Sequence, residues 1–137
     1  MASEEFSWPV RVYYEDTDCA GIVYHASFLR FMERARSEWL RSLGFDLPVL
    51  RIEHEVLFTV SRLRIDYLQP AQFDDLLDVS LGLTRCGGAS FLLDQRVWRT
   101  PRELLCRAEV RIACVDAATL RPRPIPRVIR TELKRDC

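Results

Sequence analysis

The sequence predicts an α+β fold in which a long, curved antiparallel sheet wraps around one long helix. Residues 26–43 carry apolar side chains at helical spacing, and four long stretches after them have the alternating pattern of β-strands. The connections between these stretches are short, which favours antiparallel pairing of consecutive strands. We expect the helix to cover one face of the sheet, and the other face and the edges to need a partner subunit.

The first predicted strand, residues 9–15, is short and leads into a polar loop. Its apolar face is expected to consist of Val10, Val12 and Tyr14. The loop, residues 16–21, reads Asp-Thr-Asp-Cys-Ala-Gly and connects the strand to the helix.

The helix predicted over residues 26–43 presents a narrow apolar arc. Five side chains form this arc: Phe28, Phe31, Met32, Ala35 and Trp39. Burial of a large apolar side chain stabilises a fold by roughly 1.5–3 kcal/mol, so we predict that the helix lies in the core. Gly44 stands where a left-handed cap is expected after the helix.

Four further strands are predicted at residues 55–68, 76–84, 90–98 and 104–115. In the first of these the apolar positions slip by one residue between Val60 and Leu63, which predicts a β-bulge. Gly87 and Gly88 predict a turn. The last strand is expected to present one apolar face, made of Leu104, Cys106, Ala108, Val110, Ile112 and Cys114. A proline-rich stretch, 122–126, then leads to a short helix predicted over 127–135.

Length and charge indicate one domain covering residues 1–137 and no nucleic-acid partner. The 137 residues, 48% of them hydrophobic, are enough for one core and too few for two. The 20 basic and 20 acidic residues balance to a net charge of +0. Proteins that bind duplex nucleic acid usually carry a basic surplus instead.

The sequence also lacks the patterns of a membrane or secreted protein. No apolar run approaches the ~20 residues of a membrane helix, so no membrane insertion is expected, and the acidic N-terminus is not a secretory signal. The five cysteines include no CxxC pair, which argues against a zinc site or a disulfide framework and favours a reducing compartment. We therefore predict a cytoplasmic protein.

Residues 14–25 carry the most informative chemistry of the chain. They contain three carboxylates, one glycine and one of the two histidines, directly before the predicted helix. The free N–H groups of a helix's first turn are fixed donors, backed by the macrodipole, that can stabilise an oxyanion. A carboxylate placed just before them can attack the polarised carbonyl or deprotonate a water that does so.

Several segments, in order along nearly the whole chain, carry a resemblance to a known family. They are Tyr14-Glu-Asp-Thr-Asp18, Ala20-Gly21, Val23-Tyr-His-Ala-Ser27, Glu33-Arg-Ala-Arg36, Asp66-Tyr67, Pro70-Ala71, Cys114-Val-Asp116 and Arg121-Pro-Arg-Pro-Ile-Pro126. With these segments the sequence resembles the hotdog-fold 4-hydroxybenzoyl-CoA thioesterase superfamily, and within it the bacterial acyl-CoA thioesterases associated with the Tol–Pal envelope system. The resemblance implies a hotdog fold and an enzyme that hydrolyses an acyl-CoA to free acid and CoA.

The same resemblance implies roles for individual residues. Asp18 matches the catalytic aspartate, which acts as nucleophile or as general base, and the His25 N–H matches the donor to the thioester carbonyl. Tyr24 and the His25 side chain are expected to line the site, and Gly21 to let the loop pass close to the thioester. Family members use neither a metal nor a bound cofactor. They build active sites between the subunits of a homodimer, often within a homotetramer.

The expected contacts with CoA depart from the family pattern. Some relatives carry a basic residue just before the position of Ser90, where this chain has Gly87, Gly88 and Ala89. We predict that Arg85 and Arg62 bind the substrate together with Ser90, and Arg64 is the alternative basic residue. Glu33 is also predicted to bind substrate, although it can instead be an i,i+3 partner of a neighbouring arginine, Arg30 or Arg36.

The same residues also allow other interpretations. Asp18 can be only a turn residue, and His25 only a helix-start residue, whereas His54 is expected to be structural and Cys19 to adjoin the loop by chance. An EF-hand and a phosphatase aspartate pair both fail at Ala20. A hotdog hydratase is disfavoured because His54 has no evident acidic partner. The alternative in another functional class is a non-catalytic acyl-CoA-binding or cell-envelope adaptor module.

Overall fold

Five β-strands and two α-helices make up the structure, a computed structural model that describes residues 6–134. The elements are β1 (Phe6–Arg11), α1 (His25–Ser42), β2 (Val56–Tyr67), β3 (Leu76–Cys86), β4 (Ser90–Thr100), β5 (Glu103–Asp116) and α2 (Arg127–Lys134). A 3₁₀ turn at Tyr14–Asp16 and a π-helical turn at Val49–Glu53 lie between them. One long helix against an antiparallel sheet confirms the predicted α+β class.

The strands form one antiparallel sheet in the order β1-β3-β4-β5-β2. Consecutive strands pair as predicted in β3, β4 and β5, but the expected pairing of β2 with β3 is wrong, because β2 pairs with β5. The connecting segment 68–75 crosses the end of the sheet. At one end the Leu68 N–H donates to Leu105 O, and at the other the Asp74 N–H donates to Val12 O. The crossing leaves β2 and β1 on opposite edges.

The first strand begins and ends earlier than the predicted range, 9–15. Asp16 is buried, and its Oδ2 accepts a hydrogen bond of 2.8 Å from the Tyr13 N–H, which closes the 3₁₀ turn. This turn ends the extended backbone before Tyr14. Val10 and Val12 are buried as predicted, whereas Tyr14 is 81% exposed and does not share their face.

The helix α1 places its apolar arc in the core. All five predicted side chains are buried: Phe28, Phe31, Met32, Ala35 and Trp39. Gly44 follows the helix with φ +92°, so the predicted left-handed cap is confirmed. The helix packs against β1, β3 and β4, and this packing fixes where its N-terminus lies at the end of the sheet.

The bulge predicted in one strand is present, whereas the predicted apolar face of another differs at its start. The bulge in β2 lies between Val60 and Arg62, as predicted. In β5 the buried residue near the start is Leu105, whereas the predicted Leu104 is only half-buried. The ladder between β4 and β5 is irregular around Trp98, and this irregularity turns Leu105 inward.

The C-terminal helix α2 covers part of the sheet near β3 with two buried side chains, Ile129 and Leu133. Its predicted last residue, Arg135, lies outside the described residues. Within residues 6–134, no helix has the length and apolarity required to span a membrane.

Candidate active site

A tight loop between β1 and α1 presents Asp18 at the surface. An isolated bridge joins Thr17 to Val23, and the Asp18 N–H donates to Ile22 O over 2.9 Å. Gly21 has φ +82°, a conformation that glycine adopts without strain. One carboxylate oxygen of Asp18, Oδ1, accepts a 2.8 Å hydrogen bond from the Ala20 N–H. The side chain is thereby oriented while it remains exposed.

The loop is tied to the crossing segment 68–75. The N–H of the buried Val23 donates to Ala71 O over 2.8 Å, and Ile22 bridges to Gln72. Arg99 on β4 stabilises that segment by donating hydrogen bonds of 3.3 Å to Pro70 O and 3.1 Å to the Asp75 carboxylate. The hydrogen bonds that Arg99 donates to the Glu103 carboxylate are the largest cause that raises the pKa of Arg99 above its ordinary value. Charge-assisted hydrogen bonds therefore support the backbone on which the Asp18 loop lies.

The N-terminus of α1 leaves a donor free beside this loop. The helix begins at His25 after Tyr24, which makes no side-chain capping hydrogen bond. The Ser27 N–H donates to Tyr24 O over 2.8 Å. Across residues 6–134 we find no acceptor for the His25 N–H. This free N–H lies at the positive end of the α1 dipole. It can therefore donate to a polar group bound in front of the helix.

Asp18 and His25 line one pocket of about 300 Å³. The other lining residues are Ile22, Val23, Phe28, Tyr67, Leu68, Gln69 and Pro70. The Tyr67 hydroxyl donates to the His25 carbonyl oxygen over 2.9 Å. Tyr24 lies beside the pocket, and its ring centroid is 4.4 Å from that of His25. The predicted catalytic carboxylate and helix-terminal donor are thus brought together, with apolar side chains around them.

Comparison with known proteins identifies the family. A model of the thioesterase-like superfamily matches residues 12–133. The chain belongs to this superfamily. It is 44% identical to the acyl-CoA thioester hydrolase YbgC of Escherichia coli over 98% of this chain and 99% of that protein. It is 45% identical to the acyl-CoA thioesterase YbgC of Haemophilus influenzae over 95% of each chain.

Solved structures agree with this assignment. The probable thioesterase from Bartonella henselae matches with a TM-score of 0.85 and 37% identity, over 90% of this chain and 100% of that one. The predicted resemblance to the hotdog-fold thioesterases is therefore confirmed, and the five-stranded sheet with its central helix is a hotdog fold.

Two neighbouring carboxylates in this thioesterase-superfamily chain have different surroundings. Asp16 is 4% exposed, and its carboxylate accepts the Tyr13 N–H. It therefore has a structural role in the 3₁₀ turn. Asp18 is exposed at the pocket, and within the described part of the chain its Oδ2 has no hydrogen-bond donor. An acyl group in this pocket would lie among residues that include both Asp18 and His25.

The predicted CoA-contacting residues lie together, but in a different pocket. Arg62, Arg85 and Ser90 line a pocket of about 400 Å³ that also includes Arg111. In the sheet register Arg62 faces Arg111, and Arg111 faces Leu92 beside Arg85, on the side away from the buried core. Three guanidinium groups and one carboxylate, that of Glu109, line this pocket, so it carries a net positive charge on a chain without net charge. Arg64 lines a separate pocket.

Glu33 is not brought to the Asp18 pocket within one chain. It lies eight residues beyond His25 on α1, about 12 Å along the helix axis. There it lines a larger cavity of about 600 Å³ between α1, β2 and β4, together with Arg36, Trp39, Phe58 and Phe91. Burial lowers the pKa of Arg36, and the charge of Glu33 partly offsets this effect. Among the described residues Glu33 has no ion pair with a predicted arginine partner.

The remaining candidate residues lie away from the Asp18 pocket. The His54 ring packs against Phe45 at a centroid distance of 6.1 Å, and Cys19 is exposed without lining the pocket. Burial raises the pKa of Cys106 to about 12 and that of Cys114 to about 11. Residues 6–134 contain no group of three or more His, Cys, Asp or Glu side chains arranged to hold a metal ion.

Sequence reasoning missed two contributors to the site. Tyr67 and the segment 68–70 form one wall of the Asp18 pocket, although they lie more than forty positions after His25. Tyr67 belongs to a matched segment and to the apolar alternation with Leu63 and Ile65, but neither signal assigns it a role in the site. A tyrosine followed within three residues by proline is the only local cue that β2 ends there.

Proposed function

We propose that the chain hydrolyses acyl-CoA thioesters to a free acid and CoA, with Asp18 and the His25 N–H as the principal catalytic groups. The observation that carries this proposal is the pocket shared by the Asp18 carboxylate and the first turn of α1. Two curated relatives that match nearly the whole chain are named acyl-CoA thioester hydrolase or thioesterase.

The His25 N–H serves as the oxyanion donor. Attack on a thioester carbonyl moves negative charge onto its oxygen, and a fixed N–H at a helix N-terminus stabilises that charge without reorganisation. Support comes from the missing acceptor for this N–H among residues 6–134 and from the absence of a side-chain cap on Tyr24. Removal of a comparable donor costs on the order of 10²–10³ in rate.

Asp18 supplies the nucleophile or the general base. As a nucleophile, its Oδ2 bonds to the carbonyl carbon, the C–S bond breaks, CoA leaves as a thiolate and water cleaves the resulting anhydride. As a base, Oδ2 takes a proton from the water that attacks. In both routes the Ala20 N–H holds Oδ1 and fixes the direction of the free oxygen. Tyr24 and the His25 imidazole border the acyl group, and Gly21 keeps the loop in its tight path.

The basic pocket around Arg85 binds the phosphates of CoA. Arg62, Arg85 and Arg111 supply three guanidinium groups, and Ser90 supplies a hydroxyl donor. Guanidinium groups suit phosphate because their N–H donors form paired hydrogen bonds. Glu33, in the larger cavity, contacts substrate held at the site of a neighbouring subunit.

The functional unit is a homodimer or homotetramer with active sites between subunits. The edge strand β2 has 12 residues and pairs only on its β5 side within the described chain. Such a long free edge is normally covered. Asp18, Tyr24 and His25 are all exposed in one chain, and a partner would exclude water from them. We place this enzyme, as one domain over residues 1–137, in the cytoplasm and without a cofactor.

The test is thiol release from short-chain, long-chain and aromatic acyl-CoAs, measured for wild type and Asp18→Asn. Asparagine keeps an oxygen that accepts the Ala20 N–H, so the loop should be preserved while the charge is lost. We expect wild type to turn over at least one class and the variant to lose about 10²-fold or more. Asp78→Asn, at an exposed position on β3, is the matched control.

Two results would contradict the proposal. If wild type is inactive on every acyl-CoA but binds them, the chain is a binding or adaptor module. If Asp18→Asn equals wild type, hydrolysis occurs by another mechanism.

A further inference from the structure

We propose that Tyr67 is a positioning residue for the thioester site, whose hydroxyl holds the His25 backbone in the orientation that presents its N–H. The hydroxyl donates to the His25 carbonyl oxygen over 2.9 Å, across 42 positions of sequence. This inference rests on the proposed function, because it assigns a role in the same site. The Tyr67 hydroxyl contacts His25, the residue that carries the proposed oxyanion donor. We assign it no contact with the reacting atoms.

Tyr67 belongs to the sheet, so its hydrogen bond connects the start of α1 to the sheet. It is the last residue of β2 and pairs with Cys106 in β5. Its ring lies 5.8 Å from that of Phe28 at an interplanar angle of 64°, and 6.1 Å from that of His25 at 84°. The ring therefore lies between the end of the sheet and α1, with its hydroxyl on the His25 carbonyl oxygen, while 44% of the residue stays exposed.

The hydrogen bond is additional to what the helix itself requires. A backbone carbonyl has two lone pairs, and one of them accepts the N–H four residues later in a regular helix. The Tyr67 hydroxyl occupies the second. Because Tyr24 provides no side-chain cap, the first turn of α1 depends on such outside contacts for its orientation. His25 carries both the free N–H and the imidazole, so a rotation there moves both.

The hydroxyl remains a donor at neutral pH. Burial, together with the nearby Cys106 thiol, raises the pKa of Tyr67 above its ordinary value. The protonated form, which donates to His25 O, therefore persists across the pH range in which the enzyme would work.

The test compares Tyr67→Phe with wild type in steady-state kinetics on the best acyl-CoA of the panel. Phenylalanine keeps the ring contacts and removes only the donor. We expect kcat to fall by about 10- to 100-fold with KM nearly unchanged, because small misplacement of a catalytic group affects the transition state most. Tyr13→Phe is the matched control, since Tyr13 is exposed and does not line the Asp18 pocket.

A second measurement is independent of turnover. The backbone amide resonance of Ala26 should shift in Tyr67→Phe, because the hydroxyl polarises the peptide between the His25 carbonyl and the Ala26 N–H. The His25 amide resonance should shift as well, because the proposed role of the hydroxyl is to hold the His25 backbone in place, while the thermal midpoint stays within a few degrees. Unchanged resonances, or unchanged kcat with active wild type, would overturn the positioning role alone. Wild-type inactivity on every acyl-CoA would overturn the proposed function and this role together.

Discussion

Replacement of Gln95 by leucine should destabilise the fold by about 2–4 kcal/mol. Gln95 is 0% exposed in the middle of β4. Its Nε2 donates to Met32 O and its Oε1 accepts from Arg36, both over 3.0 Å. A hydrogen bond to a charged group contributes about 1.5–3 kcal/mol and a neutral one about 0.5–1.5 kcal/mol. Leucine keeps most of the volume, so the loss comes from the two bonds.

The cost depends on the charge that remains. Arg36 is half-buried on α1, and burial already lowers its pKa. In Gln95→Leu its guanidinium loses its neutral acceptor in the core. In the double variant with Arg36→Met the charge is gone, and replacement of both partners by apolar groups can be nearly neutral. We therefore expect the double variant to be more stable than Gln95→Leu alone, with a coupling of about 1–2 kcal/mol.

Urea unfolding of wild type, both single variants and the double variant at one protein concentration gives the four free energies of unfolding. Gln72→Leu is the control, since Gln72 is exposed and surface substitutions usually change stability by less than about 0.5 kcal/mol. If Gln95→Leu were as stable as this control, or if the two single effects simply added, the hydrogen bonds of Gln95 would not stabilise the fold as proposed.

Two further predictions concern substrate binding and pH. Arg85→Gln should raise KM for acyl-CoA several-fold with kcat unchanged, because a phosphate contact is equal in ground and transition states. An equal loss on acyl-pantetheine, which lacks the nucleotide phosphates, would contradict the assignment. Hydrogen bonds from the Thr119 and Ala118 N–H groups hold the pKa of Asp116 below its ordinary value of 3.8. The resulting stability is complete above that value and is lost as pH falls through the lower, folded-state pKa. Thermal melts from about pH 5 to pH 2 should therefore decline less steeply for Asp116→Asn, and equal slopes would refute this.

Elements encoded by local patterns were predictable from the sequence. The apolar arc of α1 is set by a period of 3.6 residues, and the same side chains are buried in the structure. The cap at Gly44 follows from the freedom of glycine at positive φ. The face of β3 that carries Leu77, Val79, Leu81 and Leu83 follows from simple alternation.

Features that depend on distant residues were not predictable in this way. The pairing of β2 with β5 is decided by the crossing segment 68–75, which has no periodic pattern of its own. The end of β1 is decided by the side chain of Asp16, which draws the backbone into a turn. The burial of Gln95 reflects two partners on α1 that alternation along β4 does not reveal.

The candidate site also has parts that local sequence patterns predict and parts that they do not. Asp18 and His25 are close in sequence, flank a helix start and line one pocket. Arg62, Arg85 and Ser90 come from three strands and are also neighbours, because register and alternation place them on one face. Glu33 lines a different cavity within one chain, so its predicted role stays a prediction that requires a second subunit.

The edge strand β2 borders both the cavity that contains Glu33 and the pocket that contains Asp18. Its first half, with Phe58, Thr59 and Val60, borders the cavity that contains Glu33, and its last residue, Tyr67, borders the Asp18 pocket. If a second copy pairs with this edge in antiparallel register, the two ends of the strand lie beside each other across the interface. The Glu33 cavity of one subunit then adjoins the Asp18 pocket of the other. The same contact that covers an exposed strand edge would therefore also close the proposed catalytic pocket.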